Sequence, residues 1–183
     1  MYSEAKQGIF YPWHRRLLSL FEKALQVECR YEGALPYWDW SQDLGTVEQF
    51  VNAPIFDPVT GFGGNGAWLP GNFSNPPPNV TVLAPEDVPD RTGGGCLQDG
   101  LFKDTLIHLG PSQNLKDNPH CIRRDFAPLT YHKLLNNSQI PDGLAQPDFG
   151  WFARKTETTV HSGAHRGIGG MLGDMVEKAS SRK

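Results

Sequence analysis

Apolar residues recur at three- and four-residue steps from His14 to about Arg30, at Leu17, Leu18, Phe21, Ala24 and Leu25. That spacing predicts an amphipathic helix with one buried face. Pro12 stands just before it, where a helix start tolerates a missing N–H. Gly33 and Pro36 are placed to end it. Tyr37-Trp38-Asp39-Trp40 follows. Three aromatics around one acid predict a short buried segment whose indole N–H groups need acceptors, with Asp39 a candidate. A second helical pattern runs from about Phe149 to Arg166, with Trp151, Phe152, Lys155 and Thr159 stepping along it. Gly167, Gly169 and Gly170 are placed to stop it.

Between these patterns the periodicity is lost. From Ala53 to about Pro147 the chain is dominated by turn chemistry: Asp57-Pro58-Val59-Thr60-Gly61, Pro76-Pro77-Pro78, and Gly93-Gly94-Gly95 before Cys96. A stretch of that length without regular elements is either functional or disordered. No internal repeat or domain boundary interrupts it. The expectation is a mainly α, single-domain chain with a long, irregular, loop-rich middle.

Composition sharpens this only in part. The 183 residues suffice for one domain with a core. The 20 Gly and 15 Pro agree with much irregular structure. Net charge is −3 with both signs interspersed, which argues against a nucleic-acid surface. No apolar run approaches the roughly 20 residues of a membrane span. Met1 to Gln7 lacks the basic start and apolar stretch of a signal peptide, which taken alone points to the cytoplasm. Against that stand three sequons, at Asn72, Asn79 and Asn136, which matter only in the secretory route. The cysteines are Cys29, Cys96 and Cys121. Cys96 and Cys121 can pair across one loop; three reduced thiols fit the spacing equally.

Candidate chemistry lies with histidine. His161 and His165, in His-Ser-Gly-Ala-His, stand four apart. On a helix both rings project from one face and can bind one metal ion. The spacing alone is not specific, since two histidines near a helix C-terminus also suit the helix dipole. His14 opens the first helix within Trp13-His14-Arg15, where a lone histidine is usually structural. His108, His120 and His132 lie in the irregular middle without metal-ligand spacing.

Taken together, these motifs resemble a family. Phe10-Tyr11-Pro12-Trp13-His14-Arg15, then Glu22, then Tyr37-Trp38-Asp39-Trp40, is similar to the first copper-binding region of tyrosinases and catechol oxidases. Val160-His161-Ser162-Gly163-Ala164-His165, followed by Gly167-Ile168-Gly169-Gly170 and Met171, resembles the second. The middle, with His108-Leu109-Gly110-Pro111 and Cys121-Ile122-Arg123-Arg124-Asp125, is similar to short fungal members. The likeness covers roughly residues 8 to 174.

The resemblance implies a type-3 copper four-helix bundle in which two copper ions are each held by three histidines. It implies oxidation of o-diphenols, and in some members monophenols, to o-quinones with dioxygen. His14 matches a ligand of the first copper; His161 and His165 match two ligands of the second. The family position nine residues before His14 is Ala5 here, and residues 166–183 hold no histidine. The expectation is therefore a partial domain over residues 1–183, truncated at both ends and incomplete as a bundle. It carries three of six ligands, with impaired or absent turnover, and faces around Leu17, Phe21 and Leu25 left exposed. The resemblance also places the partner of Cys29 outside this chain and implies secretion of the intact form. A non-catalytic copper-binding remnant and an oxygen carrier of the haemocyanin kind are the alternatives.

Overall fold

The computed structural model describes residues 8–70, 90–109 and 115–170. Sequence features at Ala5, Asn72, Pro76-Pro77-Pro78, Asn79 and Met171 lie outside the described residues.

Helix α1 spans Phe10–Glu28, beginning one turn earlier than the apolar pattern predicts. Pro12 therefore sits inside the first turn, where no intrahelical acceptor awaits its missing N–H. The helix ends through Arg30, which takes φ +56° in the left-handed region, well before Gly33. The expected buried face is absent: no residue of α1 is buried among the described residues. Leu17 and Phe21 are 46% and 54% exposed, and Leu25 is half-buried.

The aromatic segment after α1 is half-buried, not buried, and Tyr37 stands almost fully in solvent. Trp38 Nε1 donates to Asp43 Oδ2 (2.7 Å), so Asp43 is the acceptor and Asp39 is not. Asp39 instead accepts from Ser41 Oγ (2.5 Å) and Gln42 Nε2 (2.8 Å), fixing a 3₁₀ turn at Trp40–Asp43. These bonds, Gln42 first, hold its carboxyl below the usual aspartate range.

The middle is more regular than its composition suggests. It contains α3 (Pro128–Leu134) and α4 (Gln139–Leu144), preceded by α2 (Val47–Val51) and a 3₁₀ turn at Pro54–Phe56. Strands β1 (Gly66–Trp68) and β2 (Gly94–Leu97) pair antiparallel, as do β3 (Leu106–Ile107) and β4 (His120–Cys121). A disulfide between Cys96 on β2 and Cys121 on β4 ties the two ladders together; Cys29 is free and exposed. These helices are five to seven residues long, too short to show a period of 3.6.

The core is built mostly from this middle. Phe50, Ala53, Phe56, Phe126, Tyr131, Leu135 and Ile168 form one buried cluster. Phe50 stacks on Tyr131 at 4.0 Å between ring centroids and meets Phe126 at 5.2 Å. Asp125, fully buried, accepts from Arg91 Nε (2.8 Å) and the Gly93 N–H (2.8 Å), which satisfies its charge.

The C-terminal helix runs as α5 (Phe149–Thr156), a π turn at Glu157–His161, and α6 (Ser162–Gly169). Asp148 caps it by accepting from the Trp151 N–H (2.9 Å). Gly167 and Gly169 do not stop it. They lie inside α6, and Gly170 ends it at φ +51°. Gly163 and Gly167 let α6 approach α3: a Cβ at Gly167 would meet Tyr131 Cβ at 2.7 Å, and one at Gly163 would meet Leu135 Cγ at 2.8 Å. The Asp125 and Ala127 N–H groups cap the end of α6, donating to the Ile168 and Gly167 carbonyls at 3.1 and 2.9 Å. The architecture is mainly α, and among the described residues no helix is long and apolar enough to cross a membrane.

Candidate metal centre

The first turn of α1 meets the C-terminal helix at the π turn. Tyr11 Oη–H donates to Thr156 Oγ1, whose own proton goes to the Phe152 carbonyl (2.8 Å). The Tyr11 ring lies 5.2 Å from Phe152. One turn on, His161 faces the Phe10 ring at 4.6 Å, and Phe10 in turn lies 4.2 Å from His14. The wide turn offsets the helix, so Phe152 and Thr156 face α1 while Gly163 and Gly167 face α3.

His161 and His165 come together as their spacing predicts. Their ring centroids are 4.6 Å apart and their planes lie at 86°. Two imidazoles bound to one first-row metal through nitrogens about 2 Å away place their centroids roughly 5 Å apart. The pair is therefore a candidate donor set for one metal ion. His14 Nδ1–H donates to the Phe10 carbonyl (2.7 Å), which fixes its tautomer and leaves Nε2 to carry the lone pair. All three rings are half-buried.

His14 does not join the pair. Among the described residues no group of three or more His, Cys, Asp or Glu side chains is arranged to hold one metal. The remaining histidines lie elsewhere. His108 Nδ1 contacts Asp117 Oδ1 (2.7 Å) in solvent, His120 is buried on β4 with Nδ1 donating to the Asn118 carbonyl (2.5 Å), and His132 packs on α3 beside Tyr131 and Phe50. Sequence reasoning named Phe10 and Tyr11 only within a motif and missed Thr156; these residues join the two histidine-bearing helices. The adjacent aromatics Phe10 and Tyr11 were the available signal.

Residues 4–182 match the family model described as the common central domain of tyrosinase. The chain belongs to the tyrosinase family. It is 34% identical over 157 residues to Tyrosinase P of Aspergillus terreus, covering 77% of this chain and 42% of that protein. It is 30% identical over 193 residues to the N-acetyl-6-hydroxytryptophan oxidase ivoB of Emericella nidulans, covering 91% of this chain and 51% of that protein. Among solved structures it is similar to a polyphenol oxidase from Thermothelomyces thermophila, with a TM-score of 0.71 and 32% identity over 89% of this chain and 46% of the other. This tyrosinase-family chain thus spans about half the length of the relatives it matches. Its family implies copper, and the donor set at His161 and His165 fits that metal.

Proposed function

We propose that the whole protein is a copper-dependent oxidoreductase that converts o-diphenols to o-quinones with dioxygen, monophenols being a further substrate class of some family members. In this chain His161 and His165 hold one copper and His14 contributes a single ligand toward the other. The observation that carries the reading is the perpendicular His161–His165 pair at 4.6 Å, set in a tyrosinase-family domain. Copper supplies the redox chemistry when bound, passing electrons from the phenolic substrate to dioxygen. The chain's own residues orient the ligands. The Phe10 carbonyl sets the His14 tautomer, and α3 packed against Gly163 and Gly167 holds the helix that bears the pair.

Three imidazoles do not furnish two three-histidine sites, so the 183-residue chain alone is expected to form no o-quinone. A copper-binding role without turnover is the second reading, favoured by the absence of any three-ligand group among the described residues. The disulfide and the sequon at Asn136 support an oxidising, secretory compartment.

The test is copper content per chain after reconstitution, with a catechol oxidation assay alongside. We expect bound copper that His161→Ala or His165→Ala weakens about 10-fold or more, and no quinone. Copper retained in the double variant would remove the assigned site. Quinone formation by this chain would show that other groups complete both sites. Turnover of catechol by the full-length protein separates the oxidase from the non-catalytic reading.

A further inference from the structure

We propose that Asn136 is an acceptor site for an N-linked glycan; this rests on the secretory reading above. Asn136-Asn137-Ser138 carries the residue types that define such an acceptor, and it is the sequon that lies among the described residues. The three residues make the turn between α3 (Pro128–Leu134) and α4 (Gln139–Leu144). Asn137 and Ser138 are exposed, and so is Ile140 in the first turn of α4. The turn therefore runs over the surface, where a bulky hydrophilic group has room beside it.

The hydrogen bonds that shape the turn spare the atom that the linkage uses. Asn136 Oδ1 accepts from the Ser138 N–H (3.1 Å) and from Ser138 Oγ–H (2.7 Å). N-linkage keeps that oxygen and both bonds. Asn136 Nδ2 donates to the Lys133 carbonyl at 3.5 Å, the long limit of a hydrogen bond. A primary amide has two N–H groups, so the linkage consumes one and leaves the other for that contact. The co-reactant is an oligosaccharide carried on a lipid pyrophosphate. A bond forms between Asn136 Nδ2 and C1 of the first sugar. The C1–O bond to pyrophosphate breaks, the lipid pyrophosphate leaves with its electron pair, and Nδ2 gives up one proton. Nothing is oxidised or reduced. The folded turn accommodates the product, because the bonds that shape it run to Oδ1.

The test sends the 183-residue chain through the secretory pathway of a yeast host behind a foreign leader. In an Asn72→Gln/Asn79→Gln background, Asn136 is the remaining sequon. We expect one step of reduced mobility on a denaturing gel. Digestion with an N-glycan amidase should reverse it, and peptide mass spectrometry should then find Asn136 converted to aspartate. Asn136→Gln and Ser138→Ala should each abolish the step, and Ser138→Thr should keep it. Cell extract is read beside the medium, so a variant that folds poorly is still scored. An unmodified Asn136 in chains that have lost the leader, and so have entered the pathway, overturns the proposal. The same peptide analysis on the full-length protein from its native cells tests the compartment separately. An unmodified Asn136 there, with an occupied one in the host, refutes the secretory reading and leaves the acceptor site standing.

Discussion

Helix α1 has 19 residues and none is buried, whereas the eight residues of α6 include four that are. The difference does not follow from apolar content. Along α1 lie Trp13, Leu17, Leu18, Leu20, Phe21 and Val27, all large and all exposed. The buried residues of α6 are three glycines and one isoleucine. What buries α6 is a partner at short range: Gly163 and Gly167 present bare backbone, and α3 fills the space with Tyr131, Leu134 and Leu135. A helix face is buried by what packs on it, and amphipathicity only states that it can be. Among the described residues, the first turn of α1 finds such a partner on the C-terminal helix, through Phe10 and Tyr11.

The largest expected effect lies in the cluster behind α3. Phe50 is fully buried and stacks on Tyr131 at 4.0 Å. Phe50→Ala is expected to cost about 3–5 kcal/mol, from lost transfer energy plus a cavity. Urea unfolding followed by circular dichroism reads it. A cost below about 1 kcal/mol would mean that this cluster does not organise the fold.

Next comes the close approach of α3 and α6. A Cβ at Gly167 would lie 2.7 Å from Tyr131 Cβ and 3.2 Å from its Cα, so backbone must shift and no flexible tip can yield. Gly167→Ala is expected to lose about 1–3 kcal/mol although alanine is the better helix former. It should also widen the gap that positions His165, lowering copper retention alongside stability. A stabilised variant would show that helix propensity, not packing, governs α6.

A smaller effect distinguishes the two regions by pH. Burial, with the charge of Asp43 second, raises the phenol of Tyr131 well above its ordinary value of 10.0. With the folded value raised, the unfolded chain releases this proton first. The stabilisation is therefore intact below pH 10 and declines as pH rises above it. Tyr131→Phe should flatten that alkaline limb while costing about 1 kcal/mol at neutral pH for the bond to the Trp40 carbonyl (3.3 Å). Melting temperatures between neutral and strongly alkaline pH would show whether the slope is lost.

How much was legible follows from the same contrast. The two long helices declared themselves because each carries enough turns for a period to appear, and His161 and His165 inherited their geometry from that period. His14 became a candidate only through the company of Trp13 and the Tyr37-Trp38-Asp39-Trp40 segment. Helices α2, α3 and α4 were hidden by their length, and α4 also by its proline and glycine, although Pro128 at the start of α3 and Thr46 capping α2 are ordinary start signals. The core was missed for another reason, since Phe50 lies more than seventy residues from Phe126 and Tyr131 in sequence and meets them only in the tertiary fold. Asp43 displaced Asp39 as the partner of Trp38 because the 3₁₀ turn carries it back toward the indole. Gly167 was read as a stop, whereas its role is to lack a side chain where Tyr131 needs room.

The smallest effect completes the comparison at α1. Phe21 is 54% exposed at mid-helix, so Phe21→Ala removes little area that folding withdraws from water. Alanine also gains slightly in helix propensity. The expected change in stability is within about 0.5 kcal/mol, against several for Phe50, although both replace phenylalanine by alanine. The same substitution should lower concentration-dependent light scattering, because Phe21 belongs to a row of exposed large apolar side chains with Leu17, Leu18 and Leu20. If Phe21→Ala instead costs as much as a core substitution, α1 is buried in solution by something that packs on its exposed face. The contrast with α6 would then be one of missing contacts and not of intrinsic packing. A null effect on stability with reduced scattering would show that α1 holds its helix through its first turn and its own backbone bonds, with Tyr11 and Phe10 as its points of attachment.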